Sequence, residues 1–262
     1  MKSVITIFSF ILLLSIGCKT PITEIPEAPI VVKGYLEAGE KISNFYVENV
    51  ANSREFESEL NVPIENAEIS IFAGEEEIIL VQNPDHPGYY YNDTHMVLPG
   101  TTYDLRLKHD SKTVTASCFV PDTLIIETGF GLADSIKLGG TENPEEVISF
   151  SWESQSGFEY LMELSVDDDA MPLTFSDNIG KFDQVYANPF KEGSASLFDD
   201  YFAFSGKHTI TIYTITSEYA DYFRYLPQAL DRNIYSAPNN IQGGYGVFAG
   251  RTGTTIEFTL YE

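Results

Sequence analysis

From Ile30 onward, apolar and polar residues alternate with a period of two, and this pattern constrains the fold more than any other feature of the sequence. In residues 103–108, for example, each of three apolar residues is followed by a charged one. Successive side chains of a β-strand point to opposite faces, so such a segment buries one face and exposes the other. About seven short segments of this kind lie between residues 30 and 120, which is typical of an immunoglobulin-like β-sandwich. We therefore expect a mainly β fold.

The chain divides into two predicted β domains. Pro121-Asp122 is the predicted boundary between an immunoglobulin-like β-sandwich at 30–120 and a second, β-sandwich-like domain at 121–262. Residues 168–207 show little periodicity and predict a long loop region with one or two short strands. Four apolar residues at helical spacing predict one amphipathic helix at about 217–231, which Pro227 would kink or end early; they are Tyr219, Phe223, Leu226 and Leu230.

The N-terminus has the pattern of a lipoprotein signal peptide at residues 1–17. Lys2 precedes an apolar run from Val4 to Ile16, and Cys18 follows Gly17 at the predicted cleavage site. The apolar run is shorter than the roughly 20 residues that span a bilayer, which favours a processed signal over a transmembrane helix. Cys18 is then the first mature residue, and its thiol would carry diacylglycerol, with palmitate-type acylation of the new N-terminus. The alternative is an ordinary secretory signal.

Residues 18–29 form a lipidated, proline-rich tether. Proline cannot donate to a helix or a sheet, so this stretch should be extended. The predicted lipid would anchor the protein to a membrane. Glu24 is the first acidic residue after Cys18, so the sequence leaves both the cell surface and the periplasmic face open.

Charge and cysteine content exclude several classes of protein. Lysine and arginine number 15 against 39 aspartate and glutamate, for a net charge of −24. This balance opposes nucleic-acid binding, which needs clustered cations. If Cys18 is lipidated, Cys118 has no partner within the chain, and its place among alternating apolar residues predicts a small core residue.

No motif predicts catalysis. The sequence has no zinc-protease helix and no nucleophile elbow, and its four histidines are scattered, so we expect neither an enzyme nor a cofactor. Gly244, Gly246 and Ala249 match a loose dinucleotide fingerprint, but the run leads toward a predicted strand, and a bulged or tightly packed strand entry is favoured. The run Asp167, Asp168 and Asp169 could bind calcium or form a solvated hairpin tip, and both interpretations stay open.

Aromatic residues provide the remaining indication of binding. The chain has 16 tyrosines, and Tyr89, Tyr90 and Tyr91 are consecutive, so a strand would direct them to both of its faces. An exposed tyrosine offers a flat apolar ring with a polar tip, which suits sugar or protein recognition. These three residues are the predicted ligand-binding residues, and ordinary packing at the rim of the sheet is the alternative.

The C-terminal run from Asn240 to Phe248 resembles the signature of the domain-of-unknown-function 4249 family of Bacteroidota outer-membrane lipoproteins. Earlier segments resemble the family in the same order: Val31-Val32-x-Gly34, Pro87-Gly88-Tyr89-Tyr90 and Pro99-Gly100-x-x-Tyr103-x-Leu105. The signature residues, to which we assign a structural role, are Asn240, Ile241, Gly243, Gly244, Gly246 and Phe248.

The resemblance implies a role in nutrient uptake and provides no catalytic residues. Members of the family commonly accompany TonB-dependent transporters, which implies an accessory or binding lipoprotein that partners such a β-barrel. A stand-alone carbohydrate- or peptide-binding surface lipoprotein is the alternative. In either case the membrane is contacted through the N-terminal lipid.

Overall fold

The computed structural model describes residues 29–50, 61–128, 135–138, 145–167, 171–173, 184–186, 188–225 and 238–261. Most of the regular structure within these ranges is strand, accompanied by one α-helix. The predicted mainly β fold is therefore confirmed. The signal peptide, Cys18 and the tether up to residue 28 lie outside the described residues.

Eight strands form the first, immunoglobulin-like sandwich: β1 (Ile30–Glu37), β2 (Lys41–Val50), β3 (Asn61–Pro63), β4 (Glu68–Ala73), β5 (Glu76–Gln82), β6 (Tyr89–Met96), β7 (Thr101–His109) and β8 (Lys112–Val120). Neighbouring strands follow the order β1-β2-β6-β5-β4-β7-β8, and β3 pairs with β2. One hydrophobic cluster joins the inner faces of all the longer strands. The alternation seen in the sequence therefore buries one face of each strand.

The second half of the chain builds another sandwich from β9 (Glu127–Thr128), β10 (Ser135–Lys137), β11 (Glu146–Ser151), β12 (Phe158–Val166), β13 (Met171–Pro172), β14 (Gln184–Tyr186), β15 (Ser194–Phe198), β16 (Phe204–Thr216) and β17 (Tyr245–Tyr261). A three-stranded sheet, β15-β11-β9, faces the sheet that contains β12, β16 and β17. A second hydrophobic cluster fills the space between these sheets. A short 3₁₀ helix at Asp199–Tyr201 precedes β16.

Strand β17 connects the two sandwiches within one sheet. Its first part, Tyr245–Arg251, pairs in parallel with Val31–Glu37 of β1. From Arg251 onward it pairs antiparallel with β16. Phe248 consequently lies in the first core and Phe258 in the second. The C-terminal segment thus completes the first sandwich, although its position in the sequence placed it in the predicted second domain.

The helix, α1, spans Ser217–Tyr225. The sequence predicted about 217–231, and residues 226–237 lie outside the described part of the chain. Ala220 and Tyr222 are its buried residues. They pack on the outer face of the sheet, against side chains of β12, β16 and β17. Over the described ranges, no helix has both the length and the apolar character needed to cross a membrane.

Candidate functional site

The outer face of the continuous sheet carries the aromatic residues of interest. Val32 and Leu36 of β1 lie in the first core, so Tyr35 and Glu37 point to the opposite face. Strand register extends this outer face across three strands. Lys33 pairs with Tyr46 of β2, and Tyr46 pairs with Tyr89 of β6. Tyrosines from β1, β2 and β6 thus share one face of the sheet.

One group on this face, the junction cluster, consists of Tyr35, Glu37, Tyr213, Tyr219 and Arg251. Arg251 donates two hydrogen bonds to Glu37 Oε2, from Nε at 2.9 Å and from Nη2 at 2.6 Å. Its guanidinium lies 4.3 Å from the centre of the Tyr213 ring, and Nη1 donates to the Tyr219 hydroxyl at 3.4 Å. The cluster joins β1, β16, β17 and α1 at the residue where β17 changes partner.

Helix α1 covers the junction cluster. The Tyr35 and Tyr219 rings meet edge to face at 5.2 Å between centroids. Burial raises the pKa of Tyr35, Tyr213 and Tyr219, so their hydroxyls stay protonated. The rings and the ion pair of the cluster are packed against one another beneath the helix, and its Arg251 and Glu37 side chains are mostly buried. Its role is structural.

A second group, the open cluster, consists of Tyr46, His86, Tyr89 and Tyr91 and has no helix above it in the described structure. The Tyr46 and Tyr89 rings are tilted against each other at 4.7 Å, and His86 meets Tyr89 edge to face at 6.2 Å. Tyr89 is 44% exposed. Its ring is therefore available to a partner.

The open cluster is supported by a charge pair whose glutamate is buried. Glu48, 2% exposed, accepts a hydrogen bond from Lys33 Nζ at 3.0 Å. Burial, followed by the charge of Glu48 and a hydrogen bond to it, raises the pKa of Tyr46 to about 12. The Tyr46 hydroxyl therefore remains protonated and donates to Glu48. These contacts hold the Tyr46 ring beneath Tyr89.

A pocket of about 330 Å³ opens beside Tyr89, and its lining residues are Ser43, Asn83, His86, Tyr89, Tyr90 and Tyr91. The turn before β6 has a fixed conformation. Asn83 Oδ1 accepts from the Asp85 N–H at 3.0 Å, and the Asn83 backbone N–H donates to the Tyr89 carbonyl at 2.8 Å. The turn thereby presents Asn83 and His86 to the pocket.

All three predicted ligand-binding tyrosines line this pocket, but Tyr90 differs from its neighbours. Its ring is 1% exposed and belongs to the first core. Its hydroxyl donates to the Ile64 carbonyl at 3.0 Å and accepts from the Ala67 N–H at 2.9 Å. We therefore assign Tyr90 to the core. Successive side chains of a strand alternate between its two faces, so Tyr90 points to the face opposite Tyr89 and Tyr91. Ligand binding by Tyr89 and Tyr91 stays a prediction.

Sequence reasoning did not identify three of the pocket residues, Ser43, Asn83 and His86. The prolines and glycine of the segment 84–88 indicate a turn, but a turn signal does not show which strand lies beside it. The bulged pairing of β2 with β6 brings Ser43 to the pocket. That pairing joins residues far apart in the sequence.

The glycine-rich run closes the first sandwich. Asn240 forms two hydrogen bonds with the Phe248 backbone: Nδ2 donates to the carbonyl at 2.6 Å, and Oδ1 accepts from the N–H at 2.9 Å. Gly246 has φ of 109°, and a Cβ atom there would lie 2.0 Å from the Val32 carbonyl oxygen. A Cβ at Gly243 or Gly244 would likewise meet backbone oxygen, at 2.5 and 2.7 Å.

These contacts give the run a packing role. Ile241 is buried in the first core, and Gln242 exchanges backbone hydrogen bonds with Thr115 of β8. Gly244 directly precedes strand β17, and Gly246 and Ala249 lie within it, whereas the dinucleotide mechanism needs such glycines at the N-terminus of a helix. The run therefore forms the tightly packed start of a strand, which the sequence favoured over a dinucleotide site.

Other predicted chemistry falls outside this pocket. Cys118 is buried in the first core, and burial raises the pKa of its thiol, in agreement with the predicted core role. Asp167 is described, whereas Asp168 and Asp169 lie outside the described residues. Among the residues that the structure describes, no group of three or more His, Cys, Asp or Glu side chains is placed to hold a metal.

Comparisons with known proteins give a family but no activity. A solved structure of the FN1–FN3 domains of chicken CNTN1 is similar over 90% of this chain and 68% of that chain, at 15% identity and a TM-score of 0.28. The search of curated proteins found no match. The family model described as "Domain of unknown function (DUF4249)" matches residues 19–257. Because this match covers most of the chain, the protein belongs to the DUF4249 family.

Proposed function

We propose that the protein is a lipid-anchored outer-membrane accessory lipoprotein that partners a TonB-dependent transporter in nutrient uptake. The observation that carries the anchor is Cys18 at the end of the short apolar segment Val4–Ile16. The accessory role is supported by the resemblance to lipoproteins that accompany such transporters, and the chain's membership of the DUF4249 family is consistent with it. In this proposal the protein acts by binding.

The architecture suits a tethered binder. A fully extended tether over residues 19–29 reaches about 35 Å from the lipid. The junction cluster, together with the continuous sheet through β17, links the two sandwiches by an ion pair and by strand pairing. Anchoring beside a transporter raises the local concentration of the binder to about millimolar, so weak contacts would suffice.

The lipid anchor is tested by metabolic labelling with an alkyne analogue of palmitate. We expect label on the wild-type chain and on Cys118→Ala, and no label on Cys18→Ser. Cys118→Ala is the matched control because it removes the other cysteine, which is buried. Equal labelling of Cys18→Ser and wild type would contradict the anchor.

The partner is tested by pull-down of the full-length, lipidated chain from detergent-solubilised outer membrane. We expect a β-barrel transporter among the recovered proteins in reproducible amounts. The Cys18→Ser variant, prepared in the same way, should recover less of it, because the variant is not held at the membrane. Repeated recovery of no β-barrel would overturn the accessory role.

A second candidate function, a carbohydrate- or peptide-binding surface lipoprotein, is favoured by the pocket beside Tyr89. Ligand pockets combine apolar and aromatic surface with a few polar groups, and this one combines tyrosine rings with Asn83, His86 and Ser43. Screening the intact protein on a glycan array and a peptide library tests this function directly. A pure transporter accessory should bind neither.

A further inference from the structure

We propose that the pocket beside Tyr89 binds one or two rings of an uncharged sugar, with the sugar stacked on Tyr89 and hydrogen-bonded to Asn83, His86 and Ser43. This inference rests on the second candidate function and specifies its ligand class. Four features of the pocket carry it: an exposed ring, polar groups without partners, the charge of the lining and the pairing of strand β6.

The exposed ring provides the stacking surface. Tyr89 is 44% exposed and rests on Tyr46, which the buried Glu48 holds in place. The ring is therefore supported from behind and open in front. A sugar presents a face of C–H groups that packs on such a ring, while its hydroxyls remain available to polar neighbours.

The polar groups around the ring can satisfy those hydroxyls. Asn83 Oδ1 is engaged by the Asp85 N–H, which directs the Asn83 amide hydrogens away from the turn. Within the described part of the chain, the Asn83 Nδ2, the Ser43 hydroxyl and the His86 ring nitrogens have no hydrogen-bond partner. Together they offer both donors and acceptors, the mixture that sugar hydroxyls require.

The charge of the lining argues against an anionic ligand. No lysine, arginine, aspartate or glutamate is among the six lining residues. The charged pair that supports the open cluster, Lys33 and Glu48, is already joined at 3.0 Å. A phosphate or carboxylate ligand would enter without a fixed counter-charge, on a protein of net charge −24.

The pairing of β6 argues against an extended peptide. A peptide that adds a strand needs an open sheet edge. Tyr90 pairs with Phe45 of β2 on one side and with Gln82 of β5 on the other. Both edges of β6 are therefore occupied at the pocket. The volume of about 330 Å³ lies at the lower end of small-molecule sites, which limits the ligand to one or two sugar rings.

The test uses the full-length lipidated protein in detergent. An array of neutral, sialylated and sulfated glycans identifies the strongest neutral ligand, and titration calorimetry then measures its Kd. We expect Tyr89→Ala to weaken binding about tenfold. Tyr261→Ala is the matched control, because that tyrosine is equally exposed, at 46%, but lies at the end of β17 in the second sandwich. It should leave the Kd unchanged.

A second pair of variants separates recognition from folding. Asn83→Asp keeps the Oδ1 acceptor of the turn but loses the amide donors, and we expect about fivefold weaker binding. Tyr89→Phe keeps the ring and should bind within about twofold of wild type. Correct folding of each variant is checked by near-ultraviolet circular dichroism.

Binding to no neutral glycan, preference for charged glycans, binding to peptides alone, or an unchanged Kd in Tyr89→Ala would each overturn the proposal. These outcomes are independent of the transporter pull-down. If Tyr89→Ala loses the sugar and still recovers the β-barrel, both proposals stand. If wild type recovers the β-barrel but binds no sugar, the pocket proposal alone fails.

Discussion

Two clusters of tyrosines lie on the same face of one sheet, and they differ in what covers them. The junction cluster at Arg251 is covered by α1, and burial raises the pKa of its Tyr35 and Tyr219 hydroxyls. The open cluster at Tyr89 has a comparable ring-to-ring packing, through Tyr46, but keeps nearly half of the Tyr89 ring exposed.

The comparison shows that tyrosine content by itself predicts neither packing nor binding. Burial of a ring with a satisfied hydroxyl stabilises the fold, whereas a supported but exposed ring is available to a ligand. Helix α1 covers the junction cluster and leaves the open cluster exposed. Substitutions in the first cluster should therefore change stability, and substitutions in the second should change binding.

The largest expected effect is at Arg251. Arg251→Met leaves the Glu37 carboxylate without its partner and removes the contact with Tyr213. Breaking such a pair is expected to lower the free energy of unfolding by about 3 kcal/mol, at the lower end for buried pairs because both side chains retain some exposure. Urea denaturation measures this loss. The Kd for the sugar should not change, because the pocket lies on other strands.

Lys207→Met is the matched control for Arg251→Met. Lys207 also pairs with a glutamate in this sheet, Glu257, at 2.9 Å, but both side chains are exposed. Exposed pairs contribute little to stability. If the two substitutions lower the free energy of unfolding equally, burial under α1 does not account for the contribution of the junction cluster to stability.

An intermediate effect is expected at Tyr90, the buried member of the predicted ligand-binding run. Tyr90→Phe removes a hydroxyl that contacts the Ile64 carbonyl and the Ala67 N–H. Leaving such backbone groups without partners costs about 1–2 kcal/mol of unfolding free energy. Tyr91→Phe is the control and should unfold like wild type. If both variants unfold alike, Tyr90 is not the core residue that we assign.

The smallest effect concerns the second sandwich and is seen as a dependence on pH. Burial lowers the pKa of His208, whose Nδ1 donates to the Gly206 carbonyl at 3.0 Å. As the pH falls through about 6.5, His208 of the unfolded chain takes up a proton, whereas burial disfavours its protonation in the folded chain. Stability from His208 is therefore present above about pH 6.5 and declines as the pH falls below it.

The measurement is the difference in unfolding free energy between wild type and His208→Gln from pH 8 to pH 5. Taking the difference removes the contribution of the many acidic residues common to both chains. We expect wild type to lose stability relative to the variant below about pH 6.5. A difference that stays constant across this range would contradict the buried, neutral state of His208.

Local patterns in the sequence predicted the strands of the first sandwich and the start of the helix. The alternation in β7 and β8 corresponds to their buried and exposed residues. Asp110 has φ of 51° in the turn between these strands, a conformation that aspartate tolerates.

Local patterns did not predict the pairing of strands that are distant in the sequence. Pairing between β1 and β17 joins residues more than 200 positions apart, and it makes both the junction cluster and the closed first sandwich. Residues 168–207 were predicted as a long loop region with one or two short strands, and they contain β13, β14, β15 and the start of β16. These strands are short or irregular, and their pairing with distant strands stabilises them. The pocket likewise combines residues from separate strands, and local sequence patterns do not predict which strands become neighbours.

The most direct test of the central claim is one pair of variants measured for both properties. Tyr219→Ala removes the ring that α1 contributes to the junction cluster, and Tyr89→Ala removes the exposed ring of the open cluster. We predict that Tyr219→Ala lowers the free energy of unfolding by about 3 kcal/mol and leaves the Kd for the sugar unchanged. Tyr89→Ala should change stability by less than about 1 kcal/mol and weaken the Kd about tenfold. If Tyr89→Ala unfolds as readily as Tyr219→Ala while sugar binding is unaffected in both, the assignment of the two clusters is contradicted.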